Sequence, residues 1–188
     1  MQLSDFDIKP GYFMHPSELH GANHTYRVMC HVLALGNEMG FEKEKQLAFF
    51  AAFMHDMARR HDGFCSRHGA RAANIKLPQL IPLFQLYGCN DEHIRAIKTA
   101  VVNHSNFNDI RKTHPHYTVA ALLKDADALD RIRIDEHNLS PRYLRFEPTY
   151  SMIDAAERLF YESEKTTIQG FEHMLNLAEE VLQKRLPF

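Results

Sequence analysis

The stretch LAFFAAFMHDM runs from Leu47 to Met57 and places a His-Asp doublet directly after eight consecutive apolar residues. We predict a helix over 43–58 that is apolar on every face, and such a helix is normally buried at the centre of a fold. A carboxylate and an imidazole at the end of a buried helix need partners, because an unpaired buried charge is costly. His55 and Asp56 are therefore predicted to bind a metal ion or cationic side chains.

Helical periodicity recurs on both sides of this stretch, whereas strand-like alternation is scarce. Further helices are predicted over 18–38, 66–76, 91–103 and 117–132. Asp91 is the expected N-cap of the third of these helices. Pro78 and Pro82 punctuate the segment that precedes it. The pattern predicts an all-α fold, a single-domain helical bundle over residues 1–188.

The C-terminal part of the chain begins with a segment that has no regular apolar pattern. Residues 138–148 are expected to form an irregular loop, and the arginines of the wider loop 133–149 either border a phosphate pocket or cap the bundle. Residues 150–186 carry apolar side chains at steps of three and four, which predicts a helical stripe weakened or bent at Gly170. We assign this stripe to core packing, with a homodimer interface as the alternative.

Two further segments place polar side chains on predicted helices. His20, His24 and Arg27 are spaced i, i+4 and i+7, so they project from one helix face. Three acids lie in the otherwise apolar helix over 117–132, namely Asp125, Asp127 and Asp130. At least one of them is expected to face inward and to be satisfied by a metal or by a basic side chain.

The three segments together offer two imidazoles and two carboxylates, from His24, His55, Asp56 and Asp127. This mixed set suits Mn²⁺, Fe²⁺, Co²⁺, Ni²⁺ or Zn²⁺ and leaves positions for water or substrate. Such an ion lowers the pKa of bound water, so that hydroxide is available near neutral pH.

The order H…HD…D resembles the HD superfamily of metal-dependent phosphohydrolases over roughly residues 15–145. The matching elements are H-x-x-R-V at His24 to Val28, the His55-Asp56 doublet and A-D-x-L at Ala126 to Leu129. A subset of the superfamily shares further elements, found here as His20-Gly21, Asp62-Gly63 and His68-Gly69.

The resemblance implies a helical bundle around a metal and hydrolysis of a small phosphate ester, commonly a nucleotide or related metabolite. Two other functions stay open on the same scaffold. One is a dinuclear di-iron oxygenase, and the other is a non-catalytic domain that binds a nucleotide or metabolite. The intact ligand set argues against the non-catalytic alternative, and one ion is expected rather than two.

Roles beyond the ligands follow from the same resemblance. Developing phosphoryl charge needs fixed cations, and the candidates are Arg27, Arg59, Arg60 and Lys124. Arg60 is favoured over Arg59 because it lies one helical turn beyond Asp56, while Arg27 has a structural ion pair with Asp56 or Asp127 as its alternative. Proton transfer is assigned to His20, Asp62, His68 or His104, and His20, His68 and His104 are the candidates for a second metal site. The other histidines are expected at the surface or in loops, namely His15, His31, His61, His93, His114, His116, His137 and His173.

Composition limits the partners. The net charge is −2 and no run of Lys or Arg occurs, so no extended nucleic-acid surface is expected. The longest apolar run is too short for a membrane span, and the first residues lack a signal pattern. The three cysteines show no C-x-x-C spacing, as in reduced cytosolic proteins. We expect a cytoplasmic protein that acts on a small phosphorylated molecule.

Overall fold

The computed structural model describes residues 1–135 and 139–188, and every regular element in these ranges is helical. The α-helices are α1 (Ala22–Glu38), α2 (Glu42–Met54), α3 (His68–Ile75), α4 (Leu77–Leu86), α5 (Asp91–His104), α6 (Tyr117–Leu129), α7 (Glu147–Ser151), α8 (Ile153–Glu164) and α9 (Phe171–Leu182). Short 3₁₀ helices occupy Leu3–Phe6, Asp130–Arg133 and Pro141–Tyr143. The prediction of an all-α fold is confirmed.

Helix α2 lies at the centre, as its all-apolar sequence predicted. Every residue from Leu47 to Met54 is buried, and α2 packs against α1, α5 and α6. The N-terminal 3₁₀ helix covers one side of α2, because the Phe6 ring lies 5.0 Å from Phe49 and 5.3 Å from Phe53 between centroids. The end of α2 is therefore held rigidly inside the bundle, and the His-Asp doublet follows it.

Helix α4 was not predicted, because its two prolines were interpreted as breaks. Pro78 lies in the first helical turn, where an amide N–H has no intrahelical partner to lose. Pro82 lies inside the helix and removes one main-chain hydrogen bond there. A helix of this length tolerates both prolines because the remaining apolar side chains Leu77, Leu80 and Phe84 are buried.

The boundaries of several predicted helices also differ, and α2 ends at Met54 rather than at residue 58. The first begins at Ala22 rather than at residue 18. Helix α5 has Asn90 as its N-cap, not Asp91. The Asn90 side chain accepts a hydrogen bond from the His93 backbone N–H at 3.0 Å, and the His93 ring accepts one from the Asn90 N–H at 3.3 Å. This reciprocal capping box satisfies two N–H groups at once.

The C-terminal stripe is divided into α7, α8 and α9 instead of one bent helix. Gly170 precedes α9, and a β-carbon there would lie 2.6 Å from Oδ1 of Asp7. Asp7 Oδ1 accepts a hydrogen bond from the Phe171 N–H at 2.8 Å, so an acid from the N-terminal segment caps α9. Both α8 and α9 pack on α1. Among the described helices, none is long and apolar enough to cross a membrane.

Candidate metal centre

The doublet lies in the turn after α2, and its histidine is oriented by the main chain. His55 Nδ1 lies 2.6 Å from the carbonyl oxygen of Ala52 and donates to it. The other ring nitrogen, Nε2, is therefore unprotonated and faces into the protein. Burial lowers the pKa of His55 to about 3, so the ring is neutral at physiological pH. A neutral imidazole with an inward lone pair is the form that binds metals.

A first group of potential ligands forms around His24 of α1. His24 Nδ1 donates to Oδ2 of Asp130 at 2.7 Å, which leaves Nε2 as the inward atom. This Nε2 lies 3.1 Å from His55 Nε2, 3.4 Å from Asp127 Oδ1 and 3.6 Å from Asp56 Oδ2. The structure thus brings together the four side chains that the sequence selected as ligands.

A second group adjoins the first through the other oxygen of Asp56. His68 Nδ1 donates to the Cys65 carbonyl and His104 Nδ1 to the Val101 carbonyl, each at 2.6 Å. Their Nε2 atoms are 2.8 Å apart. They lie 3.1 Å and 3.6 Å from Asp56 Oδ1. Asp56 therefore directs one oxygen at each group.

The donor set fits divalent cations for a specific reason. All four imidazoles direct Nδ1 at an outer hydrogen-bond acceptor, so the Nε2 atoms of His24 and His55 face one another at 3.1 Å and those of His68 and His104 at 2.8 Å. Facing lone pairs repel unless a cation lies near both. Asp127 Oδ1 is also buried without a hydrogen-bond partner among the described residues.

The two groups together form one cluster of six side chains, and its two acids, Asp56 and Asp127, are ionised. Burial alone would raise the pKa of Asp56, but the neighbouring imidazoles, His55 foremost, hold it well below its ordinary value. Burial acts in the same way on Asp127, and Arg133 and His24 then lower the pKa of Asp127 below its usual range. The two buried carboxylates place negative charge at the centre of the cluster, which favours cation binding.

Arg27 does not face this cluster. Its Nε donates to Asp130 Oδ1 at 2.6 Å, and its Nη1 donates to Glu164 Oε1 at 2.9 Å. The side chain is fully buried. The sequence offered Asp56 or Asp127 as the structural partner of Arg27, whereas the structure pairs it with Asp130 and Glu164. Arg27 thereby supports the carboxylate that orients His24.

Two other arginines border the cluster. Arg60, which the sequence favoured, is exposed, while Arg59 is buried with Nη2 3.0 Å from His20 Nε2 and Nε 3.8 Å from Asp56 Oδ2. Arg133 was not selected from the sequence, and its Nη2 lies 3.7 Å from Asp127 Oδ1. The only sequence signal for Arg133 was its position one turn after Asp130 in a basic loop.

His20 and Asp62 occupy different positions relative to the cluster. His20 is buried, and its Nδ1 lies 2.9 Å from Asp56 Oδ2. Burial lowers the pKa of His20 below 6.5. The Asp62 carboxylate is exposed and accepts a hydrogen bond from Ser17 Oγ at 2.6 Å. Only the backbone carbonyl of Asp62 approaches His20, at 3.4 Å from Nε2.

Lys124 lines a cavity of about 360 Å³ that also reaches His104 and Asp127. Its Nζ donates to the Asn106 carbonyl at 2.9 Å and pairs with Asp109 Oδ1 at 2.7 Å. Burial lowers the pKa of Lys124. The cavity is the open approach to the cluster from the side of α5 and α6.

The remaining histidines lie apart from these groups. His31 is predicted at the surface or in a loop, and this prediction is wrong because His31 lies within α1 with its side chain buried. The other described histidines of that set are partly or fully exposed, namely His15, His61, His93, His114, His116 and His173. His137 lies outside the described residues, as does Asn138 of the predicted loop.

Comparison with known proteins gives one match. The family model described as HD domain matches residues 21–132, which is more than half of the chain and includes every residue of both ligand groups. No curated protein and no solved structure matches.

Proposed function

Because the chain belongs to the HD-domain family, we propose that it is a metal-dependent phosphohydrolase acting on a small phosphate ester, a nucleotide or a related metabolite. The convergence of four imidazole Nε2 atoms on the carboxylates of Asp56 and Asp127 carries this proposal. Members of this family are mostly hydrolases that use divalent metals. We treat residues 1–188 as one domain built around that centre.

The cluster has room for two ion positions that share Asp56. The first would be held by His24, His55, Asp56 and Asp127, and the second by Asp56, His68 and His104. The sequence alone favoured one ion. The second position is supported by the Nε2 atoms of His68 and His104, which lie 2.8 Å apart and face Asp56 Oδ1 at 3.1 Å and 3.6 Å. Mn²⁺, Fe²⁺, Co²⁺, Ni²⁺ and Zn²⁺ all suit this mixed nitrogen and oxygen set.

When bound, divalent ions in such a site activate water and offset charge on phosphoryl oxygens. The protein's own residues would complete the site. Arg59 and Arg133 supply fixed positive charge next to Asp56 and Asp127, where negative charge develops on a phosphate. Lys124 supplies a further cation on the cavity wall.

His20 is our candidate for proton transfer, since His68 and His104 are assigned as ligands. Its Nδ1 donates to Asp56 Oδ2, and its Nε2 accepts a hydrogen bond from Arg59, which must be released before Nε2 takes up a proton. Burial keeps the pKa of His20 below 6.5, and the ring is therefore neutral near pH 7 and competent as a base. The Nε2 atom lies 3.0 Å from Arg59 Nη2, which keeps it oriented toward the cluster.

The compartment we propose is the cytoplasm. Cys30, Cys65 and Cys89 are free thiols in the structure. Free cysteines, two of them buried, are typical of proteins kept in a reducing environment.

Phosphate release from a panel of nucleotides and sugar phosphates tests the function directly. The protein is purified without chelator and assayed after addition of Mn²⁺, Co²⁺ or Ni²⁺. Asp127→Asn is expected to lower the rate by about 100-fold or more, because an amide is a poor substitute for a carboxylate ligand. Asp154→Asn, on the exposed start of α8, serves as the matched control and is expected to retain full activity.

Other outcomes of this experiment would redirect the assignment. Oxygen consumption by the iron-loaded protein without phosphate release would support the di-iron oxygenase that the scaffold also permits. Binding of a nucleotide with neither reaction would support a non-catalytic binding domain. Either result would contradict the proposed phosphohydrolase activity.

A further inference from the structure

Two phenylalanines are far more exposed than an apolar side chain normally is. Phe64 is 93% exposed and Phe107 is 88% exposed, the highest values among the large apolar residues described, with Leu86 next at 73%. Phe64 lies four residues before His68, and Phe107 lies three residues after His104. Each ring is thus carried by a loop that adjoins one of the candidate metal ligands.

Both rings line the same cavity, the one that opens onto His104 and Asp127. Leu86 does not contribute to it. The half-exposed ring of Tyr143 adds a third aromatic side chain to the wall. Exposed apolar side chains that cluster at one opening mark a binding site rather than random surface variation. The volume of about 360 Å³ suits a small molecule and not a protein segment.

The charges on the cavity wall indicate where the phosphate of a ligand would lie and where its uncharged part would lie. Three basic side chains line the cavity, namely Lys124, Arg131 and Arg145. Lys124 and Arg145 are already paired with Asp109, at 2.7 Å and 2.9 Å, and Arg145 also contacts Asp125 at 3.0 Å. The positive charges of Lys124 and Arg145 are therefore matched by carboxylates. A phosphate is better placed at the cluster, next to Arg59, and an uncharged group at the aromatic end.

We propose that Phe64 and Phe107 form an aromatic clamp that binds a planar ring in the leaving group of the substrate. This inference rests on the proposed phosphohydrolase function and narrows its substrate class to phosphate esters that carry a planar ring. Aromatic side chains stack on any nucleobase or aryl ring because each has a π face. The two phenylalanines then determine specificity without contacting the phosphate that reacts.

Steady-state kinetics on paired substrates test the clamp. The Mn²⁺-loaded protein is assayed with adenosine 5′-monophosphate, 4-nitrophenyl phosphate and the ring-lacking ribose 5-phosphate. Phe64→Ala and Phe107→Ala are each expected to raise KM for the ring-bearing esters by about 5- to 150-fold with little change in kcat. KM for ribose 5-phosphate is expected to stay within about twofold. A response to adenosine 5′-monophosphate alone identifies a nucleobase, and a response to both esters identifies any planar ring.

Two control variants separate stacking from general damage. Phe64→Tyr retains a ring and is expected to keep the wild-type KM, whereas Leu86→Ala removes an exposed apolar side chain outside the cavity and is expected to change nothing. The clamp is overturned if the alanine variants leave KM for ring-bearing esters unchanged or weaken both substrate types equally. It is also overturned if wild type cleaves ribose 5-phosphate as efficiently as the nucleotide, or if Phe64→Ala dissociates a wild-type dimer.

A binding measurement keeps the clamp testable if no ester is hydrolysed. Saturation-transfer NMR with adenosine, which has no phosphate, reports contact between protein and base protons. The clamp is supported if wild type saturates the base protons and the Phe64→Ala/Phe107→Ala double variant does not. This result would support the clamp even when the protein hydrolyses no phosphate ester. No saturation by wild type would overturn the clamp.

Discussion

The Nδ1 atom of His24 lies 2.7 Å from Oδ2 of Asp130 and donates a hydrogen bond to it. This contact decides which nitrogen of His24 faces the cluster. Burial alone would raise the pKa of Asp130, but Arg27 and the bond from His24 lower it below its usual range. The ionised carboxylate also increases the basicity of the imidazole, as outer carboxylates do for metal-binding histidines.

Replacing this outer carboxylate should weaken metal binding without removing a ligand. Asp130→Asn is expected to lower the affinity for Mn²⁺ or Co²⁺ by about 10- to 100-fold. Competition against a chelating dye measures the change, with Asp154→Asn as the control. An unaltered affinity in a folded Asp130→Asn protein would show that Asp130 does not orient His24.

Arg27 should matter for stability more than for the reaction. Arg27→Met leaves Asp130 buried beside a single remaining hydrogen-bond donor group, and loss of one partner of a buried ion pair costs about 3–5 kcal/mol. Urea unfolding in the presence of chelator measures the free energy of unfolding apart from metal binding. Arg60→Met is the matched control, because Arg60 is exposed. Equal effects of the two substitutions would contradict the structural role of Arg27.

Gly69 allows α3 and α5 to approach at the second ligand group. A β-carbon at this position would lie 2.2 Å from the Val101 carbonyl oxygen and 3.1 Å from His104 Cε1. Gly69→Ala is therefore expected to separate His68 from His104 and to reduce bound metal from about two ions per chain to about one.

Elemental analysis of the purified Gly69→Ala protein measures this stoichiometry. Gly63→Ala is the control, since a β-carbon there meets nothing closer than His61 Nδ1 at 3.4 Å. If the Gly69→Ala protein keeps the metal content of wild type, the second position does not depend on the contact between α3 and α5.

His31 should make stability depend on pH. Burial lowers the pKa of His31 from 6.5 to about 4. Between these values the unfolded chain binds a proton that the folded chain does not, so stability falls as the pH drops through this window and loses nothing more from His31 below it. The shift corresponds to about 3 kcal/mol at most.

The comparison of wild type with His31→Leu isolates this contribution. Urea unfolding with chelator at about pH 7 and about pH 4.5 should show that wild type loses about 2 kcal/mol more than the variant on acidification. His61→Leu, at an exposed position, should behave like wild type. A His31→Leu protein with the same pH dependence as wild type would show that folding does not lower the pKa of His31.

The sequence predicted the central helix and the four side chains of the first group because those signals are local. An eight-residue apolar run leaves no polar face, so its burial follows directly. The choice between Arg59 and Arg60 could not be made this way. The preference for Arg60 assumed that α2 continues past the doublet. In the structure α2 ends at Met54, and the following turn directs Arg59 to the cluster.

Other features depend on tertiary contacts that no local pattern encodes. The partner of Arg27 is Glu164 on α8 as well as Asp130, and α8 is distant in sequence. Asp7 caps α9 from the other end of the chain. The two groups of imidazoles share one carboxylate only because α3 and α5 pack together beside the end of α2.

Metal content of the protein purified without chelator tests the central claim most directly. Elemental analysis of wild type and of Asp56→Asn should give about two divalent ions per chain and less than about one, respectively, because Asp56 serves both groups. A wild-type chain that carries no metal and takes up none from Mn²⁺, Co²⁺ or Ni²⁺ would contradict the assignment of this cluster as a metal centre.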